Sequence, residues 1–151
     1  LEAIQFFYSY NTFEIRDPDV IVYLSRLLLP DRLNAITSVN FNWNLGAPAS
    51  FPHPDRQSIN PELMKRAKER DHEYRQIWKK AWKCLSSMEH LNDLRVKLDI
   101  AQKQVPFWDV EELEIVKSVS RPKKFDLLLP SSMAERVKGC IVLPNLHIGE
   151  Y

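Results

Sequence analysis

Four histidines and two cysteines are the side chains in this chain best suited to hold a metal or attack an electrophile. A compact metal site needs ligands at helix- or turn-compatible spacing, such as two histidines four residues apart. His53, His72, His90 and His147 make no such pair, with one another or with a cysteine. They are expected to be surface histidines, with no metal and no cofactor. Cys84 falls at the edge of an apolar helical stripe, and Cys140 precedes Ile141-Val142-Leu143. Both are expected to pack as small hydrophobes rather than act as nucleophiles. No G-x-S-x-G elbow occurs, and three glycines leave no glycine-rich phosphate loop. Glu111-Glu112 pairs two carboxylates at an expected helix start, where the helix dipole already accounts for them. An enzyme would need a site assembled from dispersed residues.

Binding offers more. From Pro61 to about Met88 the spacing predicts one long helix, with Leu63, Ala67, Tyr74, Ile77, Trp78, Ala81, Leu85 and Met88 along one stripe. Lys65, Lys68, Arg75, Lys79 and Lys83, with His72 among them, fall within about 80° of one another on the opposite side. Such a stripe would follow a nucleic-acid backbone, or would simply be a solvated helix face. Trp82 is marginal, about 100° from the first residue of the apolar stripe. A second set is aromatic. Trp43, Phe51, Phe107 and Trp108 fall at expected strand ends or in loops, where aromatics often anchor a protein partner. They would equally tuck beneath the loops of a small domain. His53-Pro54-Asp55, ahead of a basic helix, resembles the J-domain tripeptide of Hsp70 co-chaperones. That domain needs a basic helix directly before the tripeptide, and here a strand and Gly46-Ala47-Pro48 stand in its place.

These residues must be positioned by a chain of 151 residues, the length of one ordinary domain. Hydrophobic and charged fractions of 44% and 27% are globular values. A net charge of +1 exerts no global pull toward nucleic acid or an anionic membrane, so any electrostatic function rests on local segregation of charge. Two distant cysteines outside a C-x-x-C spacing suit a reduced intracellular compartment, cytoplasmic or nuclear. No apolar run nears the ~20 residues that span a bilayer, and no membrane contact is expected. The chain opens at Leu1 inside an amphipathic segment, and an N-terminally trimmed domain over residues 1–151 is expected.

A helical segment, a short Asn-bearing connection and an alternating strand recur along the chain. The pattern runs through Asn11 into Thr12–Arg16, through Leu33-Asn34-Ala35-Ile36 into Ser38–Trp43, and through Leu91-Asn92-Asp93-Leu94 into a strand to Ile100. Asp17-Pro18 starts a helix that should bury Val20, Ile21, Leu24, Leu27 and Leu28 before Pro30. Asp31–Ala35 should be a short turn. Residues 44–60 form the long loop. Leu113, Val116 and Val119 should lie on a further helix opened by Asp109-Val110-Glu111-Glu112. A strand at Lys124–Leu129, a helix from Ser132 and a last strand at Cys140–Leu143 complete the reading. Helices alternating with strands predict an α/β fold with neighbouring, largely parallel strands in one layered sheet. The unequal spacing makes it an irregular leucine-rich-repeat-like arrangement or an open α/β sandwich.

The residues Phe7-Tyr8-Ser9, Asn11-Thr12-Phe13, Leu24, Leu28-Leu29-Pro30 and Arg32-Leu33-Asn34-Ala35-Ile36 carry a resemblance to a family of filamentous-fungal proteins with a domain of unknown function. The two-tryptophan helix and the Phe125–Pro130 strand are similar to that family's second half. Such proteins resemble fungal F-box and leucine-rich-repeat proteins. The resemblance implies the same α/β scaffold and carries over no catalytic residue. The function expected is therefore a non-catalytic domain for a protein partner, using loops 44–60 and 102–109 with Phe51, Phe107 and Trp108 as anchors. Nucleic-acid binding by the basic helix face is the first alternative, and an enzyme with a dispersed site the second.

Overall fold

The computed structural model describes residues 2–44, 61–99 and 113–151. Eleven elements follow in chain order: α1 (Glu2–Tyr10), β1 (Thr12–Ile15), α2 (Pro18–Leu27), α3 (Pro30–Asn34), β2 (Ser38–Asn44), α4 (Pro61–Ser87), β3 (Asp93–Asp99), a 3-10 turn (Glu114–Ser118), β4 (Lys124–Leu129), α5 (Ser131–Val137) and β5 (Leu146–Glu150). Sequence chemistry sets several of these boundaries. The Asp17 carboxylate accepts from the Asp19 backbone N–H at 2.9 Å, and Pro18 follows it at the first helical position. Pro30 does not merely stop α2. It opens α3, a short helix where a turn is expected.

The five strands form a single sheet in the order β1-β2-β3-β4-β5, and every neighbouring pair is parallel. This is the expected α/β fold. Chain order and sheet order coincide, so each crossover returns to the strand alongside. One face of the sheet is apolar because alternate residues share a face. Val39, Phe41 and Trp43 of β2, Leu94, Val96 and Leu98 of β3, and Phe125, Leu127 and Leu129 of β4 are all buried. α2, α4, the 3-10 turn and α5 deliver Ile21, Trp78, Trp82, Leu85, Val116, Met133 and Val137 to that same core, on the same side of the sheet.

Along α4, Trp78, Ala81, Trp82, Leu85 and Met88 are buried, the spacing of one helical face. Trp82 is fully buried, not marginal, and its ring stands edge-on to Trp78 with centroids 5.3 Å apart. Trp43 is likewise core rather than a free aromatic at a strand end. α2 buries less than its pattern predicts. Ile21 is inaccessible, Leu24 and Leu28 are partly covered, and Val20 and Leu27 are exposed. The helix lies against α4 on a narrow side, so the flanks of its apolar stripe face outward.

The C-terminal end also departs from expectation. Ile141-Val142-Leu143 is not a strand. Ile141 packs inward, Val142 is exposed, and Cys140 is exposed rather than buried. The fifth strand forms later, at Leu146–Glu150, where Phe125–Leu129 supplies a parallel ladder. The recurring asparagines hold the strand entrances in different ways. Asn11 Nδ2 donates to the Phe7 carbonyl at 2.7 Å, closing the end of α1. Asn34 Oδ1 accepts from the Glu89 N–H at 3.3 Å, and the Asn34 carbonyl accepts from His90 Nδ1 at 2.8 Å. Asn92 works through its backbone: its N–H donates to Thr37 O at 2.8 Å, and its carbonyl accepts from the Lys124 N–H at 3.0 Å.

Candidate functional site

Parallel sheets are ordinarily covered on both faces, because each crossover lays a helix over them. Here the second face carries polar side chains at every strand. β1 contributes Thr12 and Glu14, β2 Ser38, Asn40, Asn42 and Asn44, β3 Asp93, Arg95, Lys97 and Asp99, β4 Lys124 and Asp126 together with the half-buried Leu128 beside Lys97, and β5 His147. Their alternation with buried residues is the signature of a sheet meeting water on one side. The register lines them into rows. Glu14 sits beside Asn40, Asn40 beside Arg95, Arg95 beside Asp126, and Asp126 beside His147.

Part of this lattice is held by its own contacts. Thr12 Oγ1 and Ser38 Oγ share a hydrogen bond at 3.0 Å. The Asp126 carboxylate lies 3.5 Å from Lys124 Nζ and 3.6 Å from His147 Nδ1. Lys97 Nζ stands 4.3 Å over the Tyr151 ring, and the Tyr151 hydroxyl donates to Leu98 O at 2.5 Å. Other members, Asn40, Asn42 and Arg95, have no side-chain partner among the described residues. Acids Glu14, Asp93, Asp99 and Asp126 alternate with bases Arg95, Lys97 and Lys124, so the face is mixed in sign. A mixed face suits another protein's side chains better than a phosphate backbone, which selects for uniform positive charge. Exposed ion pairs of this kind contribute little to stability, roughly 0–1 kcal/mol each.

Phe51, Phe107 and Trp108 lie outside the described residues, as do His53 and the side chain of Lys68. The segments carrying the three aromatics follow the C-terminal ends of β2 and β3, whose last residues, Asn44 and Asp99, are paired. The roots of both segments therefore stand side by side at one edge of the polar face. On α4, the side chains of Lys65, Arg75, Lys79 and Lys83 are exposed, as is His72. Lys83 also lines, with Lys80, a cleft against α2. His90 and His147 are exposed as well, and among the described residues no three metal-ligating side chains come together. No described helix is long and apolar enough to cross a membrane.

Sequence reasoning passed over the polar face. Its signal was present: the Ser38-x-Asn40-x-Asn42 and Asp93-x-Arg95-x-Lys97 alternations mark one face of two strands. What was missing is the neighbour relation that merges them into one surface.

No curated protein and no solved structure matches the chain. A family model described as "Domain of unknown function (DUF7730)" matches residues 1–142, and the chain belongs to that family.

Proposed function

We propose that the chain is a non-catalytic protein-interaction domain that binds a protein partner through the polar face of its sheet. The supporting observation is an all-parallel sheet with helices on one face and, on the other, polar groups such as Asn40, Asn42 and Arg95 without partners among the described residues. Strands adjacent in both chain and sheet, each presenting alternate side chains, make a surface read in rows, as repeat proteins use theirs. The row-like surface supports the leucine-rich-repeat-like part of this reading, which also takes in a fungal origin and a place in the cell interior. Phe51, Phe107 and Trp108 belong to the same reading, as apolar anchors rooted beside Asn44 and Asp99.

The test is affinity capture from a native extract, followed by titration of the recovered partner. Wild type is compared with an Arg95→Glu/Lys97→Glu variant and, separately, with a Phe51→Ala/Phe107→Ala/Trp108→Ala variant. The reading expects at least a roughly tenfold loss of affinity with the first variant and an unchanged melting temperature. A partner held equally well by both variants refutes it.

A further inference from the structure

On the far side of the molecule from the polar sheet face, α2 and α4 do not close completely. Between them lies a cleft of about 310 Å³, at the lower end of the size range of small-molecule sites. α4 contributes Lys80, Lys83, Cys84 and Ser87, at the spacing that brings four residues to one side of a helix. α2 contributes Ser25 and Arg26 from its last turn. Among the described residues three cations line this cleft and no carboxylate does.

Some cations elsewhere stand beside acids: Arg66 lies 3.7 Å from Glu62, Lys117 2.9 Å from Glu114 and Lys138 2.6 Å from Glu150. Arg26, Lys80 and Lys83 make no ion pair among the described residues. The Arg26 guanidinium instead stands 5.8 Å from the Tyr23 ring centroid, a contact that orients its fork of donors. Like charges gathered around a concavity repel one another, and an anion placed among them relieves that repulsion.

The rest of the lining narrows the ligand. The Ser25 hydroxyl donates to Val22 O at 3.1 Å and the Ser87 hydroxyl to Cys84 O at 2.6 Å. Their protons point to these carbonyls, and their oxygens can accept, that of Ser25 in competition with the neighbouring Cys84 thiol. Burial pushes the Cys84 thiol upward, so it stays neutral and adds no negative charge to the wall. The cleft thus offers three cationic donors and hydroxyl acceptors for a ligand that is anionic and carries O–H groups of its own. Arginine with two lysines is the donor set that phosphate selects.

We propose that the cleft between α2 and α4 is a binding site for a small phosphate-bearing ligand, its phosphate held by Arg26, Lys80 and Lys83. The inference is independent of the sheet-face reading, and either stands if the other fails.

The experiment titrates the full chain at low ionic strength with inorganic phosphate and with pyrophosphate, read by calorimetry and by melting temperature. Saturable one-site binding is expected, tighter for pyrophosphate, with the melting temperature rising as ligand is added. Lys80→Ala/Lys83→Ala should weaken pyrophosphate by at least about tenfold, whereas Lys65→Ala/Lys79→Ala, on the exposed run of the same helix, should change it by less than about twofold. All four lysines are exposed, so both variants should fold. In a Cys140→Ser background, bound pyrophosphate should slow alkylation of Cys84 in the cleft wall. Equal weakening by the two lysine pairs overturns the proposal, as does absence of saturable binding at about 10 mM of either anion. A single-stranded RNA that binds with equal dependence on both pairs would overturn it in favour of a diffuse basic face.

Discussion

The indoles of Trp43 and Trp78 meet with ring centroids 4.9 Å apart. The second strand and the long helix are therefore locked by two of the largest side chains in the core. Trp82 extends the contact to Phe125 at 6.2 Å, so an aromatic chain runs from β2 through α4 to β4. These rings tie non-adjacent strands to one helix.

Trp82 is inaccessible to solvent, and its indole N–H has no hydrogen-bond partner among the described residues. Trp82→Ala should cost about 3–5 kcal/mol through the cavity it leaves. Trp82→Phe should cost only about 1–2 kcal/mol, because it also removes an unsatisfied buried donor. Denaturant melts of the two variants measure the gap. Equal losses would show that the N–H is not a burden on the wild type.

The Asn145 carboxamide donates to the carbonyls of Ser120 and Pro122, while the Asn145 backbone carbonyl accepts from the Phe125 N–H at 3.1 Å. It fastens the entrance of the outermost ladder. Asn145→Ala should destabilise by about 1–2 kcal/mol. Hydrogen exchange should quicken in Leu146–Glu150 and leave Val39–Trp43 protected. Uniform quickening would mean that the strand is not held locally.

Lys138 Nζ donates to Glu150 Oε1 at 2.6 Å, tying α5 to β5. This hydrogen bond, then the lysine's charge, holds the Glu150 carboxyl below its ordinary 4.5, and the same partner holds the Lys138 ammonium above its ordinary 10.5. The acid's share of stability is present above its unfolded value and lost as pH falls through the depressed folded value. The base's share is present below its unfolded value and lost as pH rises through the raised one. Between these limits the tie is complete. Both groups are at the surface, so the effect should be small and salt-sensitive. Lys138→Met should lower the melting temperature slightly at about pH 7 in low salt, and the difference should vanish near about pH 2.

The two thiols should separate cleanly. Cys140 is exposed and Cys84 is buried, with burial raising the Cys84 thiol above its ordinary 9.0. A thiolate reagent at neutral pH should label Cys140 rapidly and Cys84 slowly. As pH climbs past 9.0, Cys84 ionises more readily in the unfolded chain than in the folded one, so its contribution lowers stability with rising pH. Peptide mapping of the first modified cysteine checks the order.

Much of the fold was legible because burial imposes a period. Val39-x-Phe41-x-Trp43 and Phe125-x-Leu127-x-Leu129 announce strands with one dry face, and Trp78 through Met88 announces a helix with one dry side. The parallel α/β sheet followed from their alternation. The last strand was misplaced because Ile141-Val142-Leu143 is the more apolar run. Leu146–Glu150 is an edge strand, half-buried and interrupted by Gly149, and it exists through pairing with β4. α2 was credited with too wide a buried face because a sequence shows which residues could be covered, not how closely a neighbour approaches.

The candidate sites were less legible for a related reason. Arg26 meets Lys80 and Lys83 only because α2 packs on α4, and no spacing within either helix encodes that meeting. The rows across the polar face depend on register between strands far apart in sequence. The basic stripe was visible at helical period, but not that Lys83 also borders a cleft beside Lys80.

Sheet order that repeats chain order has a mechanical consequence. Among the described residues each strand is hydrogen-bonded only to the strands before and after it, and none closes back on an earlier one. Removing β1 or β5 would uncover a single ladder and leave the others paired. Such a sheet is shortened by damage at its margins before it is broken, and a strand added to either edge would lengthen it without rearranging what is already there.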